Sequence, residues 1–320
     1  MSHIPFDKIA QFKDVIRDVR RAGPTIGGVV GITASVKVHG TNAGIRFNAD
    51  GTVTAQSRNR DLSLQSDNCG FAKFVAGLPQ DILDLLRVYK DEDGVVYGEW
   101  AGKGIQSGVG VSEVEPFLYL FARDPPSGFD DGTAETFGEH RIFFVEPLPA
   151  LTCVLDVNDA VAVAEYSHRL AEACVAIENE CPVAKRFGVS GIGEGLVCEC
   201  YYVDETTNRD HLKRFKVKGE KHSVSRVKTL VPLDVEKVAS IAAFGDKVLT
   251  EARLQQGLDY LREMGHELSM KSTGAFLSWV VNDVFTEEAQ TFIESGLNDR
   301  EGRKEIGNRA REWFKGKATL

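Results

Sequence analysis

The sequence predicts an α+β protein, with a mainly antiparallel sheet in its N-terminal part and only helices in its C-terminal part. Short β-branched or aromatic runs recur over residues 28–149, and Gly, Asn and Asp turns separate them. Because these runs follow one another through short turns and do not alternate with helices, the sheet should be mainly antiparallel. Beyond Pro232 the pattern changes to helical periodicity, which predicts an all-α part.

The elements of the N-terminal part follow from local patterns. Five apolar residues at helical spacing predict a first helix that ends near Gly23-Pro24. These residues are Ile9, Phe12, Val15, Ile16 and Val19. The strands that follow are expected in the runs GVVGITASVKV, AGIRF, TVTAQSR, VVYGEWAG, FLYLFARD and RIFFVEPLP. A helix over 158–180, with Asn158 as its N-cap, then precedes two more strands, EGLVCECYY and HLKRFKVK.

The C-terminal part contains three segments with helical periodicity and no run typical of a strand. They cover residues 234–264, 274–285 and 299–316. A chain of 320 residues exceeds the usual size of one small domain, so we expect two domains. The change of pattern places these domains at residues 1–228 and 229–320.

Composition argues against several classes of protein. The net charge of −9 argues against a surface coated in basic residues. Positive charge is local, with seven basic residues and one acidic residue from Lys213 to Lys228. No apolar run approaches the roughly 20 residues of a membrane helix, and the N-terminus lacks a signal-peptide core. The six cysteines favour neither a disulfide framework nor a zinc site. We therefore expect a protein without membrane contact, in the cytoplasm or, if phage-encoded, in the host cytoplasm.

Lys37 interrupts an otherwise apolar strand, and the turn His39-Gly40-Thr41-Asn42 follows at once. A lysine in this position can lie at a sheet edge with its ammonium group in water. It can also be a nucleophile, but the reference pKa of ~10.4 leaves only about one lysine in 2,500 neutral at pH 7. Burial and nearby cations lower a lysine pKa, and we expect both at Lys37.

Four other charged residues favour the nucleophile. Glu99 ends one apolar strand and Glu194 begins another. Lys216 and Lys218 are two residues apart, so both project from one face of a strand. This set fits in-line attack of Lys37 on the α-phosphate of a nucleotide, with pyrophosphate as leaving group. A carboxylate at 194 could hold Mg²⁺ directly or through water.

The order of these residues resembles the motif series of covalent nucleotidyltransferases, the nucleic-acid ligases and mRNA capping enzymes. The matching residues are Lys37-x-His39-Gly40-Thr41-Asn42, Ser57-Arg58, Gly98-Glu99-Trp100, Phe121, Glu194-Gly195-x-Val197 and Lys216-x-Lys218. The variant with His-Gly-Thr-Asn after the lysine is similar to the RNA ligase 2-like branch. That branch has a helical C-terminal domain, in agreement with the predicted helices, where DNA ligases and capping enzymes carry an OB-fold barrel.

The resemblance implies a fold and a set of roles. Residues 1–228 would form an adenylyltransferase domain, ATP-grasp-like with an antiparallel sheet. Lys37 would form the lysyl-adenylate and Glu194 would hold the catalytic metal. Contacts to ATP or AMP would come from Val36, His39, Asn42, Arg58, Glu99, Phe121, Lys216 and Lys218. Candidate RNA contacts are Thr41, Arg58, Lys213, Arg214 and Lys221.

The resemblance also implies which part of the nucleotide each residue would contact. Arg58 and Glu99 would contact the ribose, and Phe121 would stack on adenine, with Phe117 or Tyr119 as alternatives. The two β-strand lysines would grip the α-phosphate. Relatives often have an acidic residue just before the lysine, where this chain has Ser35-Val36. Selectivity for adenine would then rest on backbone carbonyls.

The predicted function is ATP-dependent RNA ligation, with ATP as substrate and Mg²⁺ or Mn²⁺ as cofactor. The RNA partner favoured by the branch is a nicked duplex or an RNA–DNA hybrid, and we assume a monomer with no known protein partner. The alternatives are a DNA ligase, a capping-type guanylyltransferase, or a nucleic-acid-binding relative that has lost catalysis.

Overall fold

The computed structural model describes most of the chain. The described residues are 3–7, 9–21, 28–87, 93–124, 134–204, 209–219 and 240–318. The chain divides into two compact units. The first comprises Met1–Ile9, Gly31–Val154 and Glu172–Tyr201, and the second Ala10–Val30, Leu155–Ala171 and Tyr202–Leu320. The predicted boundary after residue 228 lies outside the described residues and stays a prediction.

Strands and helices follow one another in the predicted order, with additional short elements. Within the described residues, the strands are β1 (Ala10–Gln11), β2 (Val29–Lys37), β3 (Thr41–Phe47), β4 (Val53–Ser57), β5 (Gly94–Ala101), β6 (Phe117–Asp124), β7 (Ile142–Phe144), β8 (Cys153–Asp156), β9 (Gly195–Asp204) and β10 (Arg209–Lys218). The α-helices are α1 (Phe12–Arg21), α2 (Phe71–Ala76), α3 (Gln80–Leu86), α4 (Ala134–Glu139), α5 (Ala160–Asn179), α6 (Pro182–Arg186), α7 (Ile241–Val248), α8 (Glu251–Glu263), α9 (Thr273–Glu287), α10 (Ala289–Glu294) and α11 (Asp299–Ala318).

The strands form two five-stranded sheets. Their orders are β1-β10-β9-β2-β8 and β4-β3-β5-β6-β7. Pairing is antiparallel for β2–β9, β3–β4, β3–β5 and β5–β6, and parallel for β1–β10 and β6–β7. The α+β class with a mainly antiparallel sheet is therefore confirmed.

The second sheet has two different faces, because side chains alternate along each strand. One is an apolar face; the other, here called the polar face, carries polar side chains beside a small cluster of Phe6, Val95 and Tyr97. Ile45, Trp100 and Leu118 lie on the apolar face, in a core that α2 and α3 complete. Asn42 and Glu99 are paired across β3 and β5, so they share the opposite, polar face. The polar face is the one that carries candidate site residues.

Helices account for the described chain from Ile241 onward, as predicted. Their core includes Phe244, Leu258, Phe276 and Phe314. The described part of the segment with helical periodicity over 234–264 forms two helices, α7 and α8. They are separate because Thr250 accepts a hydrogen bond from the backbone N–H of Arg253 and caps α8. Among the described residues, no helix combines the length and the apolar character that crossing a membrane requires.

The predicted cap of the long helix is wrong by one residue. α5 begins at Ala160, so Asp159 and not Asn158 is in the N-cap position. Asp159 Oδ1 accepts from the backbone N–H of Val161 at 2.9 Å and of Ala162 at 3.1 Å. A carboxylate in this position satisfies donors that the first helical turn leaves without partners.

Candidate active site

Lys37 is the last residue of β2, on the less buried face of that strand. Residues 30, 32, 34 and 36 are buried along β2 and alternate with less buried ones. Val36, a predicted nucleotide contact, therefore points its side chain into the core, away from the Lys37 face. The alternative of a lysine whose ammonium group lies in water is wrong, because Lys37 Nζ contacts the buried Glu194 carboxylate.

Glu194 is brought to Lys37 by strand register. Lys37 pairs with Gly195 in the β2–β9 ladder, which places residue 194 beside the lysine at the start of β9. Gly195 has φ 145°, a conformation that favours glycine. Lys37 Nζ lies 2.6 Å from Glu194 Oε2; the lysine side chain is 17% exposed and the glutamate 2%. The two residues form a largely buried ion pair.

The His39-Gly40 turn packs against β5 and the same carboxylate. His39 Nδ1 lies 3.3 Å from Glu194 Oε2. A Cβ at Gly40 would lie 2.3 Å from the carbonyl oxygen of Trp100 and 2.9 Å from Glu99 Cγ, so only glycine allows this approach. The turn thus places an imidazole on the carboxylate that also binds Lys37.

Glu99 and Arg58 belong to the same electrostatic cluster. The charges of Lys37, Glu194, His39 and Arg58 all act on the Glu99 carboxyl. Burial raises the pKa of Glu99, the lysine charge opposes that rise, and the Glu194 charge adds to it. Arg58, just beyond β4, is exposed. The structure therefore brings together five residues that the sequence singled out.

The Lys37 pKa differs from the expectation. Burial lowers the pKa of the ammonium group, but the charges of Glu194 and Glu99 outweigh burial and the pKa is raised. The expected lowering of the Lys37 pKa is therefore wrong, because two carboxylates lie near the lysine and the Arg58 charge opposes them only in part.

Phe121 lies at a β-bulge of the second sheet. Tyr97 pairs with Ala122 and Gly98 with Leu120, so the β5–β6 ladder passes over Phe121. Phe121 is half-buried, whereas the two alternatives for the stacking role, Phe117 and Tyr119, are buried. Of the three rings, that of Phe121 has the most surface left for a base.

Thr41 has a partner that the sequence did not suggest. Asn68, a buried residue of the loop before α2, donates from Nδ2 to Thr41 Oγ1 at 3.1 Å. Asn68 follows β4 by 11 positions, and nothing in its local pattern distinguishes it from an ordinary turn asparagine. It fixes the residue that precedes Asn42.

The β10 lysines lie in the second unit and face carboxylates of α9. Lys216 Nζ lies 2.5 Å from Glu287 Oε1. The charges of Lys216 and Lys218 both act on Glu287 and on Asp283. Sequence reasoning missed both carboxylates, because they lie about 70 residues further along the chain. The face of β10 that carries both lysines is therefore turned towards α9.

The other basic candidates are distributed over β10. Arg214 shares a face with Lys216 and Lys218, while Lys213 is exposed on the other face. Lys221 lies outside the described residues.

The carboxylates near Lys37 suit a hard divalent cation. Glu194 and Glu99 are close enough for their charges to interact. Across the described residues, no group of three or more His, Cys, Asp or Glu side chains is arranged to hold a metal ion. Mg²⁺ needs no such group, since it keeps several waters and is held through one or two carboxylates and substrate phosphates. The residues therefore fit Mg²⁺ that binds together with a nucleotide.

Comparison with known proteins identifies a family. Residues 31–218 match the family model described as RNA ligase. No curated protein matches the chain closely enough to count as a relative.

Solved structures of the Naegleria gruberi RNA ligase also resemble the chain. A variant of that ligase with ATP and Mn has a TM-score of 0.42 and 15% identity, over 68% of this chain and 57% of that one. The same ligase with PPi has a TM-score of 0.40 and 16% identity, over 68% and 56%. The chain thus spans less than two thirds of the length of these proteins.

Proposed function

Because the chain belongs to the RNA ligase family, we propose that it is an ATP-dependent RNA ligase that joins 3′-OH and 5′-phosphate ends. The observation that carries the proposal is the contact of Lys37 Nζ with the buried Glu194 carboxylate at 2.6 Å. It supports a lysine held at a defined position inside the protein, as covalent capture of a nucleotide requires.

In the proposed first step, Lys37 gives one proton to water, and its neutral nitrogen attacks the α-phosphorus of ATP. The N–P bond forms as the bond to pyrophosphate breaks, which leaves a lysyl-adenylate. Lys216 and Lys218 would bind the phosphates, and their positive charge would stabilise the negative charge of the transition state. These lysine roles rest on the motif resemblance.

Other residues would hold the nucleoside. Arg58 and Glu99 would contact the ribose, and Phe121 would stack on adenine. Half-burial of the Phe121 ring supports its part, since a base can then cover the remaining exposed surface.

In the second step, an oxygen of the RNA 5′-phosphate would attack the AMP phosphorus, and the N–P bond to Lys37 would break. The product carries AMP on its 5′ end, with Lys37 free again. In the third step, the neighbouring 3′-OH would attack the 5′-phosphate and AMP would leave. His39 and Asn42 would assist adenylylation and alignment of the 3′-OH.

Glu194 would hold Mg²⁺ or Mn²⁺, and the bound ion would supply positive charge against the phosphates. Glu194 then has two partners at different stages. It holds the Lys37 ammonium in the structure described above, and it would bind the cation when nucleotide is present.

The RNA substrate we favour is a nicked duplex or an RNA–DNA hybrid, bound by a monomer. The candidates for contacts to RNA that the structure describes are Thr41, Arg58, Lys213 and Arg214. A fifth candidate, Lys221, lies outside the described residues. The helical C-terminal domain, residues 229–320 in our prediction, has no assigned role in this step.

The decisive experiment incubates the protein with α-labelled ATP or α-labelled GTP and separates it under denaturing conditions. We expect label from ATP, dependent on a divalent cation, in the wild type and in Lys185→Ala. Lys185 is a matched control because it pairs with Glu180 on the surface of the same unit. Lys37→Ala should carry no label.

Other outcomes of this experiment decide against the proposal. Label from GTP alone would indicate a guanylyltransferase, and no label from either nucleotide would indicate a relative without catalysis. Sealing of matched nicked duplexes of RNA, DNA and hybrid, beside an unannealed control, then separates RNA from DNA ligase.

A further inference from the structure

A short segment ahead of the first helix, residues 3–7, lies on the polar face of the second sheet. The carbonyl oxygen of Ile4 accepts hydrogen bonds from Gln56 Nε2 at 2.5 Å and from the Tyr97 hydroxyl at 3.1 Å. Gln56 belongs to β4 and Tyr97 to β5. One carbonyl group of the segment is therefore tied to both strands that flank β3.

Phe6 is the apolar anchor of this segment. Its side chain is 8% exposed, and its ring lies 4.9 Å from the Phe121 ring in an edge-to-face arrangement. The ring of Tyr97 lies 5.1 Å away on the same face. Because edge-to-face pairs restrict ring orientation, Phe6 limits the orientations open to Phe121.

The segment also contacts the end of β4. His3 Nε2 lies 2.9 Å from the carbonyl oxygen of Ser57, and Arg58 Nη2 donates to the carbonyl oxygen of Asp7 at 3.4 Å. Two residues with proposed nucleotide contacts, Phe121 and Arg58, thus have partners in the same five-residue stretch.

Strand geometry relates this stretch to the candidate site. Tyr97 and Glu99 are two residues apart on β5, so their side chains project from one face in successive rows. Asn42 pairs with Glu99 in the same row. The row that residues 3–7 cover is therefore next to the row that carries Glu99 and Asn42.

We propose that Phe6 is a positioning residue for ATP binding, which holds Phe121 in the orientation that stacks on the base. This inference rests on the proposed function. Without the Phe6 ring, Phe121 would occupy several orientations, and ATP binding would have to select one of them. Lys37 and Glu194 would be unchanged, so the rate at saturating ATP should change little while the KM for ATP rises.

The test measures the initial rate of covalent AMP labelling against ATP concentration, per molecule of protein able to take label. We expect Phe6→Ala to raise the KM for ATP about fivefold, the scale of one lost aromatic pair, with little change in kcat. Phe6→Tyr keeps the ring and should restore the wild-type KM. Phe6→Leu keeps bulk without the ring and should fall between them.

Phe74→Ala is the matched control. Phe74 is a half-buried aromatic residue whose ring lies 4.7 Å from that of Trp100, on the apolar face of the same sheet. The Phe74→Ala substitution should lower the midpoint of urea unfolding without a change in the KM for ATP.

Each remaining outcome has a defined meaning. An unchanged KM in Phe6→Ala, with a lowered unfolding midpoint, would reduce Phe6 to a packing residue and overturn the inference. If Phe6→Ala does not fold, the KM values of Phe6→Leu and Phe6→Tyr decide in the same way. A wild-type protein that takes no label would overturn the proposed function and this inference with it, whereas label in the wild type with equal KM values overturns the inference alone.

Discussion

Two lysine–glutamate ion pairs, one in each compact unit, have nearly the same length and very different surroundings. Lys37 and Glu194 are 2.6 Å apart in the first unit, and Lys216 and Glu287 are 2.5 Å apart in the second. Glu194 also contacts an imidazole nitrogen at 3.3 Å. Glu287 also contacts Arg253, whose side chain is 0% exposed, at 3.1 Å.

The second pair belongs to a larger buried cluster. Arg253 lies on α8 and also reaches Asp283 at 2.9 Å and Glu288 at 3.5 Å. Burial disfavours ionised Glu287, but the charges of Lys216 and Arg253 outweigh burial and lower its pKa to about 2. This cluster joins α8 to α9 and to the strand that carries Lys216.

The difference indicates how two ion pairs of similar length can serve different purposes. Where a second buried cation neutralises the carboxylate, the pair stabilises the packing of helices. At Glu194, a lysine and an imidazole contact the carboxylate, and in the proposed function an incoming cation would replace the lysine. We therefore expect the second cluster to govern stability and the first to govern chemistry, and four predictions test this distinction.

The largest effect should follow from Arg253→Met. The substitution leaves the carboxylates of Asp283, Glu287 and Glu288 without their shared cation, which should cost about 4 kcal/mol of unfolding free energy. Urea denaturation measures it. Arg309→Met is the control, since Arg309 makes partly exposed pairs with Asp246 and Glu305 and should cost about 1 kcal/mol or less. Equal losses in the two variants would contradict a special role for the buried cluster.

Glu194→Gln should act on activity. Loss of the negative charge removes the proposed cation ligand, so single-turnover AMP labelling should slow about 100-fold, the usual scale for one lost electrostatic contact in a transition state. The unfolding midpoint should shift less than in Arg253→Met. Normal labelling with a large loss of stability would reverse the two roles.

Glu287→Gln should have a smaller effect on stability. An amide still fills the space and can accept a hydrogen bond from Lys216 or Arg253, so we expect a loss of about 1–2 kcal/mol. Glu305→Gln, which removes a partly exposed pair on α11, should cost about 0.5 kcal/mol or less. Indistinguishable urea midpoints for the two variants would argue against the structural importance of Glu287.

The smallest expected effect is a pH dependence of the stability difference between wild type and Glu287→Gln. The Glu287 pKa is about 2 in the folded protein and has an ordinary value of 4.5. A lowered pKa contributes stability above the unfolded value and loses it as pH falls through the folded value. The advantage of wild type over Glu287→Gln should be constant from about pH 7 to 5 and shrink from about pH 4.5 towards 3.

Comparison with Glu287→Gln at each pH measures the Glu287 charge together with its effect on the neighbouring Asp283. Asp283 has a raised pKa, caused by burial and then by the Glu287 charge. Its protonation therefore favours the folded state at low pH, which opposes the loss of stability that Glu287 causes there. A difference that stays constant down to pH 3 would contradict the lowered pKa.

Much of the fold was predictable because it depends on short-range patterns. Phe12, Val15 and Val19 are spaced as on the buried face of a helix, and α1 buries them. The alternation of β2 and the helices from Ile241 onward were predictable for the same reason. Short elements such as β8 were missed, since a four-residue strand carries too little periodicity to stand out.

The sequence by itself determined which residue types are available: a lysine in an apolar strand, carboxylates at two strand ends and an ordered set of motifs. Tertiary structure alone decided their partners and their charge states. Glu194 meets Lys37 across 157 positions, Phe6 meets Phe121 and Lys216 meets Glu287, each through strand register or packing between distant elements. The raised pKa of Lys37 has the same origin, because a pKa depends on the charges and burial around a group and not on its neighbours in the chain.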